Sequence, residues 1–109
     1  MEVQAISRNI RISPRKVRIV ANLVRGKKAG EAISILRNTH KAASIVVEKT
    51  LRSAMANAEN NNDMNIDKLY ISTIFVDAGP IMKRVHPRGQ AFGIMKRTST
   101  LTVKVSEKE

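Results

Sequence analysis

The sequence predicts an α+β domain: a small antiparallel sheet backed by three helices, with a long β-hairpin protruding from it. Three observations lead there. Apolar residues recur at helical spacing in three stretches between residues 13 and 60. β-Branched and aromatic residues then concentrate in residues 68–76 and alternate with polar ones in residues 101–105. Between those strands, residues 78–100 offer little to bury, and their turn carries Pro87, Gly89 and Gly93. A length of 109 residues fits a single domain, residues 1–109, within which residues 78–105 include the hairpin arm.

The elements follow in order. Residues 2–12 alternate loosely, with Val3 and Ala5 on one parity and Ile6, Ile10 and Ile12 on the other, which reads as a strand. Ser13 followed by Pro14 is a helix start, an N-cap and then a proline at the first helical position. Val17, Val20, Leu23 and Val24 form that helix's apolar stripe, and Gly26 stops it. A second helix over 29–37 buries Ala32, Ile33 and Leu36, and Asn38, Thr39 and His40 turn the chain. The third, over 41–60, carries the stripe Val47, Leu51, Ala54, Met55, Ala58 and ends in the polar cluster Asn60, Asn61, Asn62, Asp63. Met55, Met64, Met82 and Met95 read as packing residues.

Composition narrows the function. Twenty Lys and Arg stand against nine Asp and Glu, a formal net charge of +11. Solubility alone needs a charge of only about 2 to 8, so the excess points to a polyanionic partner. The absence of Cys excludes disulfides and cysteine-based metal sites. No apolar run approaches the roughly 20 residues of a membrane span, and the first residues lack a signal-peptide core, which reads as a cytoplasmic protein. Only Tyr70, Phe75 and Phe92 are aromatic, too few for a long base-stacking platform, so affinity for nucleic acid must come mainly from phosphate contacts.

Two basic constellations carry the reading. Arg8, Arg11, Arg15, Lys16, Arg18, Arg25, Lys27 and Lys28 precede residue 30, where Glu2 is the only acid. Arg15, Lys16 and Arg18 fall in the first turns of the first helix, where the helix dipole disfavours cations unless an outside anion is present. The second constellation is the arm, with no acid between Asp77 and Glu107 and with Lys83, Arg84, His86, Arg88, Lys96, Arg97 and Lys104 along it. Folding back near Gly89 sets Lys83 opposite Lys96 and Arg84 near Arg97. About ten residues on each side would reach roughly 30 Å beyond the core.

Catalysis finds no support. His40 and His86 sit in basic surroundings without a carboxylate at ligand spacing, and no phosphate-binding glycine loop, GxSxG or HExxH pattern occurs. No catalytic residue, metal or cofactor is expected. A duplex-DNA-binding protein is the runner-up, disfavoured because the charge also covers the arm and first strand. A membrane-active cationic protein is third, disfavoured because Lys41, Lys49 and Arg52 on the longest helix are nearly balanced by Glu48 and Glu59.

These residues resemble one family nearly end to end: the bacterial type of large-subunit ribosomal protein twenty-two. The segments that carry the resemblance are ISPRKVRIVANLVRGKKAGEAISIL, SAMANAENN, GPIMKRVHPRG and KRTSTLTVKVS. The resemblance implies a structural constituent of the large ribosomal subunit that binds its 23S-type RNA, supports subunit assembly and extends an arm lining the nascent-peptide exit tunnel. Implied partners are large-subunit ribosomal RNA, neighbouring large-subunit proteins and the nascent peptide, on cytoplasmic ribosomes. Arg15, Lys16 and Arg18 fall where the family touches RNA, and Lys83, Arg84, Pro87, Arg88, Lys96 and Arg97 fall on its arm. Arg88, Gly89, Gln90, Ala91, Phe92 and Gly93 would form the tunnel-facing tip, whose single charge and small residues suit a wall facing a passing peptide. Here the sequence departs from the family: Gly89-Gln90-Ala91-Phe92 replaces its usual small, variable, Gly, basic pattern, and residues 88–95 run about two shorter than usual.

Overall fold

The computed structural model describes residues 2–78, 82–85, 93–96 and 98–107, with backbone alone for 82–85 and 93–96. In chain order it contains β1 (Glu2–Ile10), α1 (Pro14–Val24), α2 (Ala29–Arg37), α3 (Ala42–Asn62), a short 3₁₀ turn (Ile66–Lys68), β2 (Leu69–Ala78), β3 (Met82–Val85), β4 (Gly93–Lys96) and β5 (Ser99–Glu107). The predicted α+β architecture is present: three helices and a three-stranded antiparallel sheet, with β3 and β4 paired as a separate ribbon.

The sheet order is β1-β5-β2, so the last strand is the central one. Leu101, Val103 and Val105 of β5 are fully buried, as the alternation predicts for a half-buried strand. Their inward face meets Val17, Val20, Ala21 and Val24 of α1 and Val47, Leu51, Ala54 and Ala58 of α3 in one core. Leu51 has no exposed surface. Truncating it to alanine is expected to cost about 2–5 kcal/mol, from lost transfer energy and the cavity left behind.

Both edge strands reach the core only by breaking their alternation. In β1 the register shifts between Ser7 and Ile10, where Asn9 adopts a left-handed φ of 57°. Such a bulge turns the chain by one residue. Ala5 and Ile10 therefore both point inward while Ile6 remains 40% exposed, which corrects the expectation that Ile6 and Ile10 share a face. In β2 a shift between Ile71 and Thr73 lets Leu69, Ile71, Ile74 and Val76 all face the core. One residue of the predicted α1 stripe also sits elsewhere. Leu23 is 43% exposed, and Ala21 takes the inward place.

Polar contacts fix the layers. Ser7 Oγ and Thr50 Oγ1 share a 2.7 Å hydrogen bond between β1 and α3. Ser99, fully buried, donates from Oγ to Ile12 O at 2.7 Å and ties the β1–α1 link to the root of β5. Helix α3 ends at Asp63 in a left-handed conformation (φ 51°), with the Met64 N–H donating to Ala58 O. A short polar side chain tolerates that conformation where glycine is usual.

In the ribbon, β3 pairs antiparallel with β4 as Met82 with Lys96, Lys83 with Met95, Arg84 with Ile94 and Val85 with Gly93. This corrects the expected facing of Lys83 with Lys96 and of Arg84 with Arg97. Lys83 is offset by one residue from Lys96 and Arg84 by three from Arg97, so Lys83, Arg84 and Lys96 each stand across from an apolar residue or methionine. That avoids the cost of like charges placed directly opposite. Residues 86–92 and Arg97 lie outside the described residues, and with them the expectations for His86, Arg88 and the tip from Gly89 to Phe92. The molecule measures 60 × 27 × 17 Å.

Candidate nucleic-acid interface

The cations of the N-terminal third, from Arg8 to Lys28, form a run along the chain in which every one is exposed. Arg8 and Arg11 flank the β1 bulge and are exposed. The chain then enters α1 through Ser13, whose backbone is extended (ψ 144°) and whose side chain makes no capping bond. Ser13 O accepts from the N–H of Lys16 at 3.1 Å and of Val17 at 3.2 Å. Pro14 fixes the first turn and is buried. Burial of Val17, Val20, Ala21 and Val24 then dictates which way the helix faces. Arg15, Lys16 and Arg18 are left exposed on its other side.

The end of α1 is anchored just as firmly. Arg25 Nη2 donates to Asn22 Oδ1 at 3.2 Å. Gly26 turns the chain with φ 76°, a conformation that strains any residue with a Cβ. Beyond it, Lys27 O accepts from Ile71 N–H at 2.9 Å, and Lys28 bridges antiparallel to Tyr70. The backbone of Lys27 and Lys28 thus covers the outer edge of β2 at Tyr70 and Ile71 while both side chains remain exposed. That end of the edge is not free to pair with another chain.

Electrostatically the run is one-sided. The first turn of α1 holds no acid. Among the described residues, the ion pairs that form are Arg37–Glu48 at 3.1 Å and Arg52–Glu48 at 3.6 Å, both away from the eight basic residues before residue 30. Those eight therefore have no carboxylate to neutralise them among the described residues.

Arg18 does something the sequence did not reveal. Its Nε and Nη2 donate to Val76 O at 3.3 and 2.9 Å. Two donors of the fork thus hold a backbone carbonyl of edge strand β2, two residues before that strand ends at Ala78. No sequence signal links residues 58 apart through a backbone atom. Arg15, Lys16 and Arg18 are all exposed, but Lys16 turns toward the start of α3 while Arg18 turns toward β2 and holds its backbone.

The arm's basic residues lie apart from this surface in the chain. Lys83, Arg84 and Lys96 are placed by register alone, while His86, Arg88 and Arg97 are outside the described residues. Among the described residues no three His, Cys, Asp or Glu side chains gather as metal ligands would, and no helix is long and apolar enough to cross a membrane. His40 is exposed in the turn before α3, in a shallow depression with Arg37, Thr39 and Lys41.

Compared with known families, residues 5–106 match the model described as Ribosomal protein L22p/L17e.

Proposed function

Because the chain belongs to the ribosomal protein L22p/L17e family, whose members are structural constituents of the large ribosomal subunit, we propose that it binds large-subunit, 23S-type ribosomal RNA through the surface built around the start of α1. One observation carries this reading: eight exposed cations between Arg8 and Lys28 have no carboxylate partner among the described residues. Phosphate is the anion that offsets them, and the acid-free first turn of α1 favours it at Arg15 and Lys16. In the bacterial-type reading the β3–β4 ribbon is the arm. Lys83, Arg84, Lys96 and Arg97, with His86 and Arg88, contact RNA along it. Residues 88–93 face the nascent peptide in the exit tunnel, and neighbouring large-subunit proteins complete the surroundings on cytoplasmic ribosomes. The role is architectural: the domain docks on folded RNA, supports assembly and positions the arm.

The test is binding of the full chain to large-subunit ribosomal RNA across a salt series, beside duplex DNA of equal length. Phosphate contacts predict steep salt dependence and preference for the ribosomal RNA; a flat salt response refutes the RNA surface. Deleting residues 89–92 tests the tip. Retained co-sedimentation with the large subunit, with altered passage of stalling peptides, supports the tunnel reading; lost co-sedimentation makes the tip an anchor instead.

A further inference from the structure

A cleft of about 370 Å³ opens between the start of α1 and the start of α3. It is lined by Ile12, Ile19, Ala42 and Ala43, with Lys16 and Lys41 among its walls, and no acid lines it. That volume falls within the range of small-ligand pockets, roughly 300–1,000 Å³. Its floor is unusual for a surface: Ile19 is 45% exposed, and Ile12 beside it is only half-buried. Water-facing isoleucine in a cavity calls for a covering partner. Ile45, one turn beyond Ala42 on α3 and 69% exposed, lines the neighbouring depression instead.

The walls are held in place. Ser44 Oγ donates to Thr39 O at 2.8 Å and to Lys41 O at 2.6 Å, which fixes the turn carrying Lys41. Ser99 anchors Ile12 through its carbonyl. Neither α1 nor α3 has an acid in its first turn, so the charge around the opening is of one sign. By contrast, the neighbouring depression past Ile45 includes Glu48, which Arg37 and Arg52 already neutralise.

We propose that this cleft takes one unpaired nucleobase of the bound RNA, seated on Ile12, Ile19 and Ala42, with the flanking phosphates on Lys16 and Lys41. The proposal rests on the RNA-binding reading and adds a seat for a base to a surface otherwise made of phosphate contacts. A flat apolar group carried on a repeating anion matches an aliphatic floor between two lysines. Lys16 belongs to both the cleft and the α1 cluster, so a strand following Arg15 and Lys16 passes its mouth. The seat also supplies what the scarcity of aromatic rings denies the chain, an apolar surface for a base, here made of isoleucines.

The experiment compares a six-nucleotide oligoadenylate with inorganic polyphosphate of equal charge, using the full chain and methyl NMR. Oligoadenylate is expected to move the Ile12 and Ile19 methyl signals upfield by the base's ring current and to bind about fivefold tighter than polyphosphate, the low end for one sequestered base. Polyphosphate is expected to leave those methyls in place. Ala42→Phe, at an exposed position that fills the cleft, should erase both differences with an unchanged melting temperature. Ile19→Ser, which removes the floor, should do the same should the first variant fold poorly. Equal binding of the two probes to the wild type, with Ile12 and Ile19 unmoved, overturns the cleft and leaves the RNA surface standing. Failure of both probes to bind even at low salt overturns the RNA surface itself. Movement of the same methyls by an alternating leucine–glutamate peptide, and not by oligoadenylate, overturns the proposal in favour of a protein partner.

Discussion

Helices α1 and α2 are neighbours of similar length, 11 and 9 residues, yet their ends are treated in opposite ways. In α2, Glu31 stands in the first turn and Arg37 in the last, each complementing the helix dipole. The α2 C-terminus is closed by Asn38, whose backbone N–H and Nδ2 donate to Ser34 O at 3.2 and 2.9 Å, and by Thr39, whose backbone N–H donates to Leu36 O at 3.2 Å. Arg37 then pairs with Glu48. Neither helix has a side-chain bond at its N-cap, but in α1 no acid stands in the first turn, no base stands in the last, and the first turns carry Arg15, Lys16 and Arg18. α2 is satisfied from within the chain. α1 gives up that stability and leaves its charge for something outside. The two helices thus separate what serves the fold from what serves a partner.

The largest effect that can break this comparison is on RNA affinity. Neutralising even six phosphates lowers affinity by about a thousandfold between 50 and 200 mM salt. Arg15→Ala with Lys16→Ala should make that slope shallower by nearly one unit per lost contact, whereas Arg37→Ala on α2 should leave it unchanged. Fluorescence anisotropy over a salt series reads both, and equal effects from the two helices would erase the distinction.

Arg18 sharpens the comparison from the side of stability. Arg18→Ala removes both donors to Val76 O and should destabilise by about 1 kcal/mol, the usual size for a lost hydrogen bond at a partly exposed site. Denaturant melts would show it, and an unchanged midpoint would make the Val76 contact incidental. Arg15→Glu should act with the opposite sign, raising stability by about 0.3–1 kcal/mol through the helix dipole while weakening RNA binding. A variant that gained stability and kept its affinity would refute the functional reading of α1. The smallest effect belongs to Arg37→Ala. Its pair with Glu48 is largely exposed on the arginine side, so about 0.5 kcal/mol or less is expected in the same melts.

Much of this was legible in advance. The Ser13-Pro14 start, the α2 span and the β5 alternation rest on short-range rules and appear where those rules put them. The strand faces of β1 and β2 were not legible, because each depends on a bulge, at Asn9 and near Ser72, that shows only when the partner strand is in place. The exposure of Leu23 shares that cause, since periodicity marks a stripe but not how wide a neighbour covers it. Within the candidate site, the sequence picked out the cations before residue 30 but not the tie from Arg18 to Val76. It also passed over the cleft at Lys41, which exists only because two helix starts meet in space.

The strand order has a consequence for how the chain comes into being. β5 is the only partner that β1 and β2 have in the three-stranded sheet, and it is the last of the strands to be synthesised. While earlier segments emerge, α1, α2 and α3 can form by local contacts, and Lys27 and Lys28 can meet β2, but neither edge strand has its partner in the sheet. Pairing Ala78 with Ser99 also requires closing the segment that holds the β3–β4 ribbon, an entropic cost met before the sheet returns any stability. Until β5 arrives, the backbone edges of β1 and β2 that it will pair with stay open to water and to other chains. Sheet closure is thus the late step of maturation, and any nascent chain stopped before Ser99 is left with two edge strands and no centre to join them.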